Sequence, residues 1–111
     1  MTYPSIAVNA LGKAVATFTL VGPDFFPAAA YAPIDLVTGA GDVHVAAPGA
    51  GPEDGFTGYT AFGGSRVARW GDYSAGVADE NGNLWLAAEF IPNAPRTVNA
   101  NWGTFISRIV P

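Results

Sequence analysis

The stretch from Arg69 to Phe90 carries the densest chemistry in the chain: Arg69, Trp70, Asp72, Tyr73, Asp79, Trp85 and Glu89. Asp72 follows Gly71 at the start of a strand-like run. A carboxylate there either caps a turn by accepting from backbone amides or, if repeated about a symmetry axis, converges with its copies. Converging carboxylates raise one another's pKa or recruit a cation. Asp72 is therefore the candidate ligand for a divalent metal such as Ca²⁺, Mg²⁺ or Zn²⁺, and a bound metal can activate water. Glu89 stands in the apolar run Ala87-Ala88-Glu89-Phe90. Such a setting suits a general acid or base with a raised pKa, or a buried ion pair. Arg69 is positioned to bind substrate or to pair with Asp72 or Glu89. Tyr73 can donate to a transition-state oxygen or pack as a core aromatic. Trp70 offers a flat apolar surface to a substrate. Together Asp72, Glu89 and Tyr73 form a candidate catalytic set, with Arg69 and Trp70 as substrate-binding candidates. His44, the only histidine, alternates with Val43 and Val45 and is placed on the solvent side of an outer strand.

These residues need a scaffold, and its signals are those of strands. Asn81-Gly82 supplies the positive backbone angles of a tight hairpin. It separates two β-rich runs, Tyr73–Ala78 and Leu84–Phe90. Further strands are expected at Ser5–Asn9, Ala14–Val21, Ala28–Ala32, Leu36–Val37, Asp42–Ala47 and Asn101–Val110. Phe56–Phe62 is expected to form a flap or short strand, and Ile91–Val98 a proline-broken connection. No segment carries a sustained 3.6-residue period. The fold class is all-β, with seven main strands in two antiparallel sheets and a core built on Val15, Phe18, Leu84, Leu86, Phe105 and Ile109.

A shift of seventy residues lays Tyr3 on Tyr73, Asn9 on Asp79, Gly12 on Gly82 and Ala14–Leu20 on Leu84–Phe90. Each copy reads as strand, glycine turn, strand, proline break and aromatic strand. Four strands in about 40–50 residues is the size of a β-propeller blade. The repeat divides a single 1–111 domain into a first blade over about 1–48, a connecting loop over 49–66, and a second, incomplete blade over 67–111.

The block RWGDYS, the hairpin with Trp85 and Glu89, and the closing NWGTFISRI resemble the last blade of secreted bacterial β-propellers of the sialidase-like, BNR-repeat type. The FPAAAYAP segment resembles the blade before it. The resemblance implies a propeller of several blades, of which this chain looks like a C-terminal, two-blade fragment. It also implies that the ring is completed by homo-oligomerisation, which removes open sheet edges. A homotrimer giving six blades is preferred, and a tetramer comes next. The function expected is a hydrolase of low specificity, with or without a divalent metal, acting on ester, phosphoester or glycosidic bonds in a central cavity. The alternative is a non-catalytic, self-assembling module that binds glycans or is purely structural.

Composition narrows the partners. The net charge of −4 argues against nucleic acid, which needs a basic stripe. There is no cysteine, so no disulfide or thiolate metal site is expected. The N-terminus lacks the pattern of a signal peptide, and no apolar run approaches membrane-spanning length. Only 13% of residues are charged, which fits a surface partly covered by another subunit or one rich in Ser, Thr, Asn and Gly.

Overall fold

A computed structural model describes residues 1–96 and 99–110. Thr97 and Val98, the end of the proline-broken run, lie outside the described residues. The chain is all-β, with two antiparallel sheets. The first contains β1 (Thr2–Val8), β2 (Ala14–Gly22), β3 (Phe25–Asp35), the two-residue β4 (Gly39–Ala40) and β5 (His44–Ala47). Its order is β1-β2-β3, with β4 and β5 both pairing with β3. The second contains β6 (Ala75–Ala78), β7 (Leu84–Phe90) and β8 (Gly103–Ile109) in that order.

The repeat is structural, and its equivalent turns are built alike. In the first hairpin the Asn9 side-chain oxygen accepts from the amides of Leu11 and Lys13. In the second, Asp79 accepts from the amides of Asn81 and Asn83. The fourth residue of each turn is a glycine with positive φ, 77° at Gly12 and 81° at Gly82. This short-range capping by Asn or Asp, with glycine absorbing the left-handed angle, fixes the hairpin register. The register then repeats: Val8 faces Ala14 as Ala78 faces Leu84. The third strands fall out of the seventy-residue shift. Ala14 pairs with Ile34 whereas Leu84 pairs with Ile109, a displacement of seventy-five. The extra residues lie in the β7–β8 connection.

Several expected elements change extent. β3 runs through Pro27 and Pro33 instead of stopping at them. Pro33 falls between the stretches of β3 that pair with β4 and with β5, and Pro27 lies beyond the last residue paired with β5. Leu36 and Val37 form an exposed turn, not a strand, because the Asp35 side chain caps the amides of Val37 and Thr38. Phe56–Phe62 folds into two single-turn 3₁₀ segments, Phe56–Gly58 and Thr60–Phe62. β6 begins at Ala75, so Asp72 and Tyr73 precede the strand that was expected to hold them.

Where the sheets meet, Ala7 and Val15 pack against Leu84 and Leu86, with Tyr31, Ala78 and Ile109 alongside. A second cluster joins Ala29 and Ala47 to Ala88, Phe90 and Phe105. Gly76 lets the sheets approach, since a Cβ there would stand 3.1 Å from that of Ala7. Val15, Phe18, Leu84 and Leu86 are buried as expected, and Phe105 and Ile109 are partly buried against the same clusters. Ile91, fully buried, joins the core from the connection that follows β7.

The segment from Pro48 to Ser74 has little regular structure and is held by specific bonds. Buried Asn101 accepts from the amide of Asp54 and donates to the carbonyls of Pro52 and Ala94. Ala50 donates to Ile91, and Phe56 donates to Asn99. At the other end the Ser74 hydroxyl donates to the carbonyl of Tyr3 on β1. These ties lay the segment across one end of the second sheet.

Candidate functional site

The cleft lies between this tethered segment and the ends of β7 and β8. Glu89 is on β7, opposite Thr104 of β8. Strand alternation turns it away from the first sheet, on the side opposite Leu86 and Ala88. Gly71 crosses directly over its carboxylate, and a Cβ built at Gly71 would collide with it. Gly71 also has a positive φ of 27°. Both constraints require glycine here, which explains why it precedes Asp72.

The resulting cleft of about 240 Å³ is lined by Glu53, Arg69, Asp72, Tyr73, Glu89 and Trp102. Four of the residues expected from sequence, Arg69, Asp72, Tyr73 and Glu89, thus face one space. Trp70 does not line it; its indole N–H is buried with no partner among the described residues. Glu53 was not anticipated, because it stands in the loop PGAGPED with no periodicity to mark it. Trp102, just before β8, also lines the cleft and is 49% exposed.

Burial pushes the Glu89 carboxyl above its ordinary value, and the negative charge of Asp72 adds to the effect. Burial also raises Glu53, with a further contribution from Asp54, against the lowering effect of the Gly55 amide. One Glu53 oxygen is buried without a partner among the described residues. Two carboxyl groups in one cleft are thus biased toward holding their protons. Arg69 places one guanidinium nitrogen 2.5 Å from each oxygen of Asp72. That pair is well exposed, so solvent screening leaves it little part in stability. Its consequence is electrostatic: Arg69, the one cation lining the cleft among the described residues, is already neutralised by Asp72.

Among the described residues no three His, Cys, Asp or Glu side chains are grouped to hold a cation, and Asp72 faces Arg69. A convergent site at Asp72 requires further copies of the chain. His44 is exposed on β5 and stacks on Tyr31, with ring centroids 5.1 Å apart. Asp79 lies outside the cleft. Its carboxylate accepts from the Asn83 side chain and the Trp85 indole, which hold its pKa down to about 2.

Comparison with known proteins finds no matching family model, no matching curated protein and no matching solved structure. Among the described residues, no helix is long and apolar enough to cross a membrane.

Proposed function

We propose that the cleft is a carbohydrate-directed site that takes one neutral sugar ring. The observation that carries this is the exposed face of Trp102 beside two partly desolvated carboxyl groups, Glu53 and Glu89. An aromatic face packs the apolar side of a sugar ring, and carboxyl groups accept from its hydroxyls. The volume is below the 300–1,000 Å³ typical of drug-sized pockets, which suits one ring and not an extended molecule. Three carboxyl groups against one guanidinium disfavour anionic substrates. Phosphoesters and acidic sugars therefore fall behind neutral glycosides and esters.

A second observation favours hydrolysis at the same site. A carboxyl group with a raised pKa can donate a proton to a leaving oxygen, and Glu89 is the group in that position. Tyr73 and the Arg69–Asp72 pair would orient the bond. We further propose that the two sheets are blades of a propeller-type ring, a reading supported by their repeated register and turn construction.

The test is a panel of neutral, phosphorylated and sulfated sugars for binding, together with aryl glycosides, aryl esters and aryl phosphates for turnover. Neutral sugars should bind at least about tenfold more tightly than their phosphorylated forms. Turnover, where present, should vanish in Glu89→Gln while binding persists. Failure of every neutral sugar to bind at millimolar concentration would end the carbohydrate assignment.

A further inference from the structure

The two sheets meet by unlike faces. On β2 the side bearing Val15, Thr17 and Thr19 looks at the second sheet: Val15 packs on Leu84 and Leu86, and the Thr19 hydroxyl donates to the Glu89 carbonyl at 2.9 Å. The equivalent side of β7 bears Trp85, Ala87 and Glu89, and it looks away. The side of β7 that meets the first sheet bears Leu84, Leu86 and Ala88. Its equivalents on β2 are Ala14, Ala16 and Phe18, and these look away. A two-fold relation between the repeats would bring like sides together. What forms instead is a head-to-tail joint, and such a joint leaves two unlike faces free, one on each sheet.

Both free faces carry exposed apolar side chains, and the second also bears Arg108 and Glu89. On the first sheet, Ile6, Val8 and Val45 are 58%, 56% and 43% exposed around the cluster of Phe18, Ala30, Ala32 and Leu20. The ladders across this face, Ile6 to Ala16, Val8 to Ala14, Phe18 to Ala30 and Ala30 to Val45, contain no charged residue. On the second sheet, Val77 and Ile106 are 61% and 64% exposed, and Trp85 is 39% exposed beside Arg108. Each sheet thus leaves exposed apolar side chains on the side turned away from the other.

We infer that successive copies of this chain bind each other through these two faces, the Ile6–Val8–Val45 face of one against the Val77–Trp85–Ile106 face of the next, closing a ring. The joint inside the chain is the template. Ala7 against Gly76 has as its counterpart Val77 against Ile6 of the partner subunit. Two bonds do not carry over: Glu89 is the equivalent of Thr19 and cannot repeat its hydroxyl donation, and Asn9 has no equivalent donor. Asn9 donates from Nδ2 to the Gly82 carbonyl, whereas its equivalent Asp79 has no donor and turns back to Trp85. The joint between copies therefore rests on its apolar pairs. This inference depends on the sheets being blades, and the residues varied to test it, Ile6 and Ile106, do not line the cleft.

Sedimentation of the whole chain, alone and as two variants, tests it. The chain should form a discrete oligomer whose mass is a multiple of 11.4 kDa, with three copies preferred. Ile6→Asp blocks one face and Ile106→Asp the other. Each variant alone should sediment as a single chain at about 10 µM, where the parent is assembled. Mixed, they should form a one-to-one dimer and nothing larger, because each retains the face that the other needs. If either variant is unfolded alone, the same pairing should appear as β-sheet circular dichroism recovered on mixing. A parent that stays a folded monomer, whose faces would then serve a different partner, overturns the inference. So does self-association of either variant, which would mean that like faces pair. Failure of the blade arrangement itself would show separately, as a chain in which Val15→Asp, between the two sheets, leaves the fold intact.

Discussion

Asn9 donates from its side-chain nitrogen to the carbonyl of Gly82 at 2.8 Å, tying the turn of the first hairpin to the equivalent turn of the second. The same side chain caps its own turn through Oδ1, so one buried residue sets two turns. Asn9→Ala leaves those groups unpartnered and should destabilise the fold by about 1–3 kcal/mol. Asn9→Asp keeps the cap and loses the tie, and should fall between the parent and the alanine variant. Urea unfolding midpoints of the three proteins check the order.

Gly12 and Gly82 hold the left-handed angle of each turn. Alanine finds open space at Gly12, so its effect there is conformational only, about 1–2 kcal/mol. Gly71→Ala should be more severe, because the new methyl also strikes the Glu89 carboxylate. Thermal melts of the three alanine variants should rank Gly71→Ala as the least stable.

Much of the scaffold was legible because it is written locally. Asn81-Gly82, the alternation of Leu84 and Leu86, and the correspondence of Asn9 with Asp79 are short-range patterns that each name a turn or a face. What escaped depends on contacts distant in sequence. Glu53 reaches the cleft because Asn101 binds Pro52 and Asp54 from almost fifty positions away, and nothing near Glu53 announces that. Trp102 reaches the cleft because β8 begins only at Gly103, which leaves it in the preceding connection. Pro27 and Pro33 look like strand ends in isolation. They are strand members here because the ladder with β2 continues past them.

Acid should unfold the chain partly through Asp79. Its folded pKa of about 2 lies below the ordinary 3.8, so the folded state holds fewer protons than the unfolded state between those values. The stability it contributes is complete above about pH 4 and is lost as the pH falls toward 2. Asp79→Asn should flatten the dependence of melting temperature on pH in that window, with little change in slope above it.

Glu89 should act in the opposite direction. Its folded pKa is raised above 4.5, so the folded state holds the extra proton. Stability is greatest below that value and declines as the pH rises through the folded pKa. Glu89→Gln removes a desolvated charge and should melt no lower than the parent at pH 7, while abolishing any turnover. A variant that melts well below the parent at neutral pH would make Glu89 a structural partner instead.

The carbohydrate assignment rests most directly on Trp102 and Gly71 facing one ligand. Nuclear magnetic resonance of the ¹⁵N-labelled chain, titrated with neutral monosaccharides and disaccharides, reads both at once. The Trp102 indole and the Gly71 amide should shift together and saturably for at least one neutral sugar, the Trp70 indole should stay still, and Trp102→Ala should abolish the response. Shifts confined to residues outside the cleft, or none with any neutral sugar, would contradict the assignment.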